Sequence, residues 1–248
     1  MDMHGFLLVD KPDGMTSHDV INRVRRFTGE RRVGHAGTLD PFATGLLIVG
    51  VGRMATREFP KLVGLDKEYE AIFMFGATSD TDDRTGTISP TLGAESNKIL
   101  ERQALDYVMK TFTGAIEQIP PAYSAIKIKG KKMYEAAREG TPIEAKARAV
   151  TVHAFNLLGA PKPTANGQRI TVRIRCGSGT YVRSLARDLG GAIGMGGYVE
   201  ELRRTSVGPF RIDEAVPLNA LNSENILDAL QTEEAVLSRL TPSATVIQ

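Results

Sequence analysis

GHAGTLDPFATG, residues 34–45, is the densest cluster of unusual residue types in the chain. Two glycines bracket His35, and Asp40 stands directly before Pro41. The proline biases Asp40 toward extended backbone and away from helix, and catalytic groups concentrate on loops that a rigid scaffold presents. A tight turn in which the Asp40 carboxylate bonds to its own backbone is the simpler interpretation, and a single Asp-Pro pair favours it.

On both sides of this loop, apolar runs and apolar–polar alternation predict strands. They are expected at residues 5–9, 46–51, 69–75, 148–157, 168–176 and 198–204. Helices are expected after Ser17 and Ser96 as N-caps, at residues 133–138 and 180–189, and in the C-terminal tail. Residues 31–44 and 79–86 are expected to form loops. Strands and helices without a regular strand–helix–strand alternation predict an α+β fold.

Composition bounds the class of protein. The apolar fraction is 42% and the charged fraction 24%, as in ordinary soluble globular proteins. The longest apolar run, residues 45–51, is too short to cross a bilayer, and residues 1–10 lack the pattern of a signal peptide. The single cysteine, Cys176, excludes an internal disulfide. We therefore expect a cytoplasmic protein without a membrane partner. Nothing in the pattern demands a partner chain, so a monomer is expected.

Charge is unevenly spread along the chain. The net charge is +2, yet residues 213–248 hold six acidic residues and one arginine. The remainder is therefore basic, with dense runs at residues 23–32 and 127–132 (the second reads KIKGKK). Basic patches attract polyanions such as RNA through counterion release. Two solvated protein faces would explain the same runs equally well.

Several classes of site are excluded by spacing. The glycines of residues 34–52 come with no Gly-Lys-Ser, no Gly-Lys-Thr and no dinucleotide fingerprint, so no nucleotide cofactor is expected. The chain has no Gly-x-Ser-x-Gly elbow of a serine hydrolase. Residues 80–83 lack the glycine and the final glutamate of a calcium loop. Four histidines are scattered without the spacing of metal ligands: His4, His18, His35 and His153. We expect no metal.

Six short motifs follow one another over residues 5 to about 212. They are Asp10-Lys11-Pro12-x-Gly14-x-Thr16-Ser17, residues 34–45, Lys67-Glu68-Tyr69, IPPAYSA at residues 119–125, Gly179-Thr180-Tyr181-Val182-Arg183 and Leu202-Arg203-Arg204. In this order they resemble the TruB family of tRNA pseudouridine synthases. The resemblance implies the pseudouridine synthase fold, which is α+β with a mixed, mainly antiparallel central sheet flanked by helices and loops, plus a thumb-like insertion.

The resemblance also implies an activity, the isomerisation of uridine 55 in the tRNA T loop to pseudouridine without a cofactor. Asp40 would be the nucleophile; whether it attacks the sugar or removes a sugar proton stays open. Arg183 would be its cationic partner. Tyr69 would stack on the target base and help to move the proton lost from C5. Tyr181 and Leu202 would line the base pocket.

His35 corresponds to a histidine that binds the RNA, where it could fill the space left by the flipped base. The insertion, about residues 122–148, resembles the thumb of bacterial stand-alone members. Its lysines would reach phosphates of the T arm, so recognition by the protein alone, without a guide RNA, is expected: Lys127, Lys129, Lys131 and Lys132.

For the domain organisation we expect a catalytic domain at residues 1–212, then a short acidic helical tail at 213–248 and no separate C-terminal RNA-binding domain. Two alternatives stay open. One is a pseudouridine synthase with another RNA target. The other is a non-catalytic RNA-binding or tRNA-folding protein on the same scaffold, which would have no need to keep Asp40, Tyr69 and Arg183 together.

Overall fold

The computed structural model describes residues 4–91, 100–128, 130–141, 143, 145–165 and 167–240. Its strands are β1 (Gly5–Lys11), β2 (Val33–His35), β3 (Thr44–Val51), β4 (Lys67–Phe75), β5 (Ala77–Ser79), β6 (Ile88–Pro90), β7 (Gly114–Gln118), β8 (Lys127–Ile128), β9 (Lys131–Lys132), β10 (Arg148–Leu157), β11 (Lys162–Thr164), β12 (Gly167–Cys176), β13 (Gly197–Val207), β14 (Phe210–Arg211) and β15 (Val216–Pro217). Its helices are α1 (Ser17–Thr28), α2 (Gly52–Thr56), α3 (Phe59–Val63), α4 (Arg102–Lys110), α5 (Met133–Arg138), α6 (Val182–Ala192) and α7 (Glu233–Ser238), with 3-10 turns at Ile212–Glu214 and Leu218–Ala220.

The chain divides into two compact units. Residues 1–68 and 203–248 form the first unit, and residues 69–202 form the second. The division falls inside β4 and inside β13, so neither unit is defined by a linker. The expected domain boundary at residue 212 stays a prediction.

In the first unit, strands pack in the order β15-β1-β3-β13, with β2 on β3. β1 and β3 are antiparallel through pairs such as Leu8 with Ile48, whereas β1–β15 and β3–β13 are parallel. Apolar side chains of these strands are buried together with Phe210 and with Val236 of α7. Ala36 and Leu46 belong to the same core, which therefore anchors residues 34–45 near both ends.

Helix α1 begins one residue before the position we expected. Thr16 is the N-cap: its hydroxyl accepts from Asp19 N at 3.0 Å, and the Asp19 carboxylate accepts from Thr16 N at 2.8 Å. This reciprocal pair satisfies backbone N–H groups that a helix start leaves open. The prediction of Ser17 as the cap is therefore wrong. Gly29, at φ 70°, ends the helix, since a left-handed residue at this position favours glycine.

The segment predicted as a loop over residues 31–44 also contains a strand, β2. It pairs antiparallel to β3, with Val33 opposite Val51 and His35 opposite Val49. Three residues with a central glycine are too short for an alternation pattern to reveal. The pairing matters because it fixes where the following loop, residues 36–43, begins.

In the second unit, strands follow the order β13-β4-β12-β10-β7, and β10 is antiparallel to both β12 and β7. The inward face of β4 and β12 is apolar and includes Phe73, Ile174 and the single cysteine, Cys176, which is 1% exposed. The expected strands at β10, β12 and β13 are confirmed. The mixed sheets, mainly antiparallel, with their helices confirm the α+β class.

Two helix predictions differ at their ends. The expected N-cap Ser96 lies outside the described residues, and α4 runs only from Arg102 to Lys110, after Glu101. α6 begins at Val182 rather than near Thr180, because Tyr181 is held in extended backbone. Across the ranges given above, no helix is long and apolar enough to span a membrane.

Candidate active site

Asp40 lies on the loop of residues 36–43 that joins β2 to β3. The loop begins paired to β3, since Ala36 N donates to Ile48 O at 2.9 Å, and it ends in a turn in which Ala43 N donates to Asp40 O at 3.1 Å. Asp40 is half-buried, while its neighbour Leu39 is 3% exposed. The loop thus buries Leu39 almost completely and Asp40 only in part.

Ser17, the first residue of α1, fixes the residue before Asp40. Its hydroxyl accepts from Leu39 N at 2.9 Å and donates to Leu39 O at 3.1 Å. Both peptide groups of Leu39 are therefore satisfied by one buried side chain. The N-terminus of α1 and the candidate catalytic loop are joined at this point.

Lys11, the last residue of β1, fixes the residue after Asp40. Its ammonium group donates to three carbonyl oxygens, those of Pro12 at 2.8 Å, Met15 at 2.6 Å and Pro41 at 3.1 Å. Burial lowers the pKa of Lys11 to about 8, although the negative charges of Asp13 and Asp40 oppose that shift. Gly14 N adds a further bond to Pro41 O at 3.0 Å.

Arg204 of β13 bonds to the part of the loop that precedes Asp40. It is 1% exposed, and its guanidinium donates to Leu46 O at 2.7 Å, Gly37 O at 3.2 Å and Thr38 O at 3.3 Å. The buried charge is thus satisfied by backbone carbonyls. Gly45, at the loop exit, passes so close to β13 that a Cβ would lie 2.3 Å from Arg204 O.

The first and last motifs meet through the residue beside Arg204. Arg203 forms a bidentate pair with Asp10, with Nη2–Oδ2 at 2.6 Å and Nη1–Oδ1 at 3.0 Å. The sequence motifs contain Lys11, Ser17 and Arg204, but sequence reasoning assigned them no role at the site. For Lys11 and Arg204 the available signal was a cation within or directly after an apolar strand, which a core tolerates only when the charge is paired.

His35, at the end of β2, is half-buried in the first unit. Burial, followed by the nearby charge of Arg204, lowers the pKa of His35 below its ordinary value. At neutral pH the imidazole is therefore uncharged. It can contact a base or a sugar, but it adds no positive charge for a phosphate.

In the second unit, Arg183 occupies the first turn of α6 and is 4% exposed. Its Nη1 donates to Thr81 O at 2.9 Å and its Nη2 to Tyr123 O at 2.9 Å. Nη1 also lies 3.6 Å from Asp83 Oδ2. Contacts to two separate segments fix the direction of the guanidinium, as a group that orients a ligand requires.

Tyr181 is fixed through its backbone. The buried side chain of Gln118 accepts from Tyr181 N at 2.8 Å and donates to Tyr181 O at 3.0 Å. Tyr69 lies half-buried on β4, on the face that also carries Ala71 and Phe73. Leu202, on β13, is 8% exposed. The three residues expected to form a base pocket all belong to the second unit.

In the segment expected to be the thumb, about residues 122–148 and called the thumb below, the described residues form a small hairpin and a helix. β8 and β9 pair Lys127 with Lys132, and α5 follows directly. Lys127 is exposed, whereas Lys131 pairs with Glu139, and Lys132 lies 3.5 Å from Glu135. Part of the positive charge is thus already paired within the thumb. Lys129 lies outside the described residues.

Asp40 and His35 therefore belong to the first unit, while Tyr69, Arg183 and the remaining expected site residues belong to the second. The pairing of Arg183 with Asp40 stays a prediction. Over the described part of the chain, no group of three or more His, Cys, Asp or Glu residues is arranged to hold a metal ion.

Solved structures with the same fold define the class. The chain is similar to a chain of a Cbf5–Nop10–Gar1 complex, with a TM-score of 0.70 and 28% identity over 95% of this chain and 62% of that one. It is similar to a chain of an H/ACA RNP bound to a substrate RNA, with a TM-score of 0.67 and 26% identity over 95% and 61%. The chain therefore spans less than two thirds of those chains. Its fold is that of the pseudouridine synthases.

Sequence similarity identifies the family. Residues 25–182 match the TruB family pseudouridylate synthase N-terminal domain, and residues 183–247 match the tRNA pseudouridylate synthase B C-terminal domain. Curated relatives named tRNA pseudouridine synthase B include those of Thermobifida fusca (46% identical, covering 89% of this chain and 75% of the relative) and Corynebacterium efficiens (45%, covering 94% and 76%). The chain belongs to the TruB family of pseudouridylate synthases.

Proposed function

We propose that this protein is a cytoplasmic tRNA pseudouridine synthase that isomerises uridine 55 in the T loop, with Asp40 as its nucleophile. One observation carries the proposal: the Asp40 loop is held on both sides of the carboxylate by side chains from three separate elements. Ser17 holds Leu39, Lys11 holds Pro41 and Arg204 holds Gly37 and Thr38. A half-buried aspartate on a loop held in this way is preorganised for attack.

The chemistry suits such a group. Pseudouridine formation breaks the bond between ribose C1′ and uracil N1, lets the base rotate, and rejoins it through C5. The reaction needs no redox change and no group donor, so the proposal requires no cofactor. A positioned carboxylate can divide this difficult exchange into two easier steps through a covalent intermediate.

The proposal gives the second-unit residues the roles that the family motifs imply. Arg183, whose guanidinium is fixed by the carbonyls of Thr81 and Tyr123, would be the cationic partner of the reacting carboxylate. Tyr69 would stack on the flipped uracil, and Tyr181 and Leu202 would line its pocket. His35, uncharged at neutral pH, would fill the space that the base leaves.

We further propose that the protein recognises the T arm by itself. The thumb offers an exposed cation at Lys127 and a helix whose Met133 is 1% exposed and therefore anchored. Exposed lysines on an anchored hairpin can reach phosphates of an RNA stem. The similarity to chains of H/ACA complexes makes guide-dependent action the competing possibility, and turnover without any guide RNA separates the two.

The test is to incubate the purified protein with unmodified tRNA transcript, without guide RNA, and to map pseudouridine chemically. Product at position 55, absent from a transcript carrying cytidine there, is the expected result. No product in the T loop overturns the proposal, and product elsewhere in the RNA favours the alternative of another target.

Asp40→Asn is the matched variant, because it keeps the size of the side chain and removes the nucleophile. We expect turnover to fall by more than about a thousandfold, while the Kd for the transcript, measured by filter binding, stays within about twofold of wild type. Retained turnover would remove Asp40 from its proposed role.

A further inference from the structure

Arg187 lies one helical turn after Arg183 on α6, on the same face of the helix. Its Nη1 donates to Asp82 Oδ2 at 2.8 Å, and its Nη2 donates to Ile119 O at 2.8 Å. A third nitrogen, Nε, donates to Asp188 Oδ1 at 2.9 Å on α6 itself. Arg187 therefore joins α6 to two other segments of the second unit.

Those two segments are the ones that hold Arg183. Asp82 stands between Thr81, whose carbonyl accepts from Arg183, and Asp83, whose carboxylate lies 3.6 Å from Arg183. Ile119 opens the segment that ends at Tyr123, the second carbonyl acceptor of Arg183. Each contact of Arg183 thus has a contact of Arg187 beside it.

Asp82, the acceptor of the Arg187 bond, has an unusual backbone conformation. Its φ is 60°, and among the described residues it is the non-glycine residue with a positive φ. Side chains other than glycine pay a steric cost there. Burial raises the pKa of Asp82, against the opposing charges of Arg187 and Arg183. A strained, largely buried aspartate facing an arginine is a costly arrangement, and such strain is concentrated at functional sites.

We propose that Asp82 and Arg187 are positioning residues for Arg183. Their ion pair, together with the bond from Arg187 to Ile119, holds the two carbonyls that orient the Arg183 guanidinium. They touch no substrate in this scheme and act only through Arg183. The inference rests on the proposed function, since it is through Arg183 that turnover would depend on them.

Asp82→Gly is the most informative variant. Glycine adopts φ 60° without strain, so the change removes the carboxylate while relieving the backbone. A merely structural Asp82 would leave kcat unchanged. We expect kcat on a T-arm hairpin to fall by about tenfold, as for partners that orient an active-site group, with KM within about twofold of wild type. Asp82→Asn, which keeps a hydrogen-bond acceptor, should recover part of the loss.

Arg187→Gln should give at least the same loss, because it removes the bond to Ile119 as well as the pair with Asp82. The double variant Asp82→Gly/Arg187→Gln should be no worse than Arg187→Gln alone, because the pair with Asp82 is already lost there. Asp188→Asn is the matched control. It removes the carboxylate that accepts from Arg187 within α6, which holds neither of the two other segments, and it should leave kcat unchanged. Unchanged kcat in Asp82→Gly, or losses that multiply in the double variant, would overturn the proposal.

A readout independent of turnover separates this inference from the proposed function. Amide hydrogen exchange of residues 79–86 and 118–124 should be faster in Arg187→Gln than in wild type and unchanged in Asp188→Asn. If wild type makes no pseudouridine, the proposed function fails, and the exchange result still decides whether the pair holds both segments. Equal exchange in wild type and Arg187→Gln would refute the positioning role.

Discussion

The Asp40 loop and the thumb are held in opposite ways. The side chains that bond to the Asp40 loop belong to residues far from it in the sequence. Ser17 is 22 residues from Leu39, Lys11 is 30 from Pro41, and Arg204 is 166 from Thr38. Within the hairpin and helix of the thumb the contacts are local, with Lys131 and Glu139 eight residues apart and Ser124 and Met133 nine. At its start the thumb also has a distant contact, since Tyr123 O accepts from Arg183, 60 residues away.

The difference separates two tasks. A loop fixed by distant residues can move only when the first unit loosens, and that suits a group whose position must not vary. A segment fixed by near neighbours can open at small cost in free energy, because few long-range contacts are lost. The first arrangement suits chemistry, and the second suits capture and release of an RNA. Substitutions in the Asp40 loop contacts and in the thumb test this difference.

Arg204→Met should have the largest effect. It removes a buried cation and leaves the carbonyls of Gly37, Thr38 and Leu46 without their donor, so the free energy of unfolding should fall by about 2–4 kcal/mol. Urea unfolding followed by circular dichroism measures it. Arg203→Met is the matched control, since its pair with Asp10 is partly exposed and should be worth about 1 kcal/mol or less. Equal losses in the two variants would contradict a special role for Arg204.

The hydrogen bond by which Lys11 holds the Asp40 loop should depend on pH. An ammonium group has three donors for its three carbonyls, and a neutral amine has two, so the longest bond, to Pro41, should be lost above a pH of about 8, the pKa to which burial lowers Lys11. Turnover should then fall by up to about tenfold per pH unit. Lys11→Met should abolish this break in the pH profile; a break that persists in it must come from another group.

The lowered pKa of Lys11 affects turnover and stability in opposite directions: turnover falls above pH 8, whereas the free energy of unfolding rises. Because the pKa of Lys11 is about 8 in the folded chain and 10.5 for an unperturbed lysine, as in an unfolded chain, the unfolded chain binds the proton more tightly between these two pH values. The contribution of Lys11 to the free energy of unfolding therefore rises from pH 8 to 10.5. Loss of turnover without loss of stability in this range would distinguish a loosened loop from general unfolding.

Ser17→Ala should have a smaller effect, which is confined to one contact. The N–H of Leu39 loses its acceptor in a buried site, and the free energy of unfolding should fall by about 1–2 kcal/mol. Thr16→Ala, one residue earlier, removes the helix cap instead and should cost about 1 kcal/mol. If the comparison holds, Ser17→Ala lowers kcat by more than Thr16→Ala does at a similar loss of stability. Equal kcat values would mean that the loop does not depend on Ser17.

The thumb lysines should have the smallest effects, graded by their pairing. Lys127→Gln removes an exposed cation. It should lower the slope of log Kd against log salt concentration by about one, the change expected when one phosphate contact is lost. Lys131→Gln removes a cation already paired with Glu139 and should change the slope less. An unchanged slope in both variants would argue against phosphate contacts by the thumb.

The sequence predicted the strands well where alternation is long, as in β4, β10 and β12. It failed where the deciding contact is distant in the chain. The local sequence favours Ser17 as a helix cap. Its hydroxyl instead bonds to Leu39, which is 22 residues away and therefore belongs to no local pattern. The actual cap was predictable from the capping-box spacing of Thr16 and Asp19, which are three residues apart.

For the candidate site, motif resemblance selected the candidate functional groups but not the side chains that hold them. Asp40 and Arg183 were selected by type and motif, whereas Lys11, Arg204 and Gln118 act by bonding to backbone carbonyls or amides. Backbone acceptors leave no trace in side-chain identity, so spacing could not reveal these bonds. The unusual φ of Asp82 was likewise hidden among three aspartates that read only as a loop.

Cys176 gives the second unit a built-in chemical reporter. It is the single cysteine of the chain, 1% exposed at the end of β12, and the chain has no tryptophan to follow by fluorescence. A thiol reagent can reach it only when the surrounding sheet opens. When reclosing is faster than modification, the modification rate therefore measures the open population of the second unit, which carries Tyr69 and Arg183, in the unaltered protein. Repeating it with RNA bound would report in minutes how far substrate closes that half.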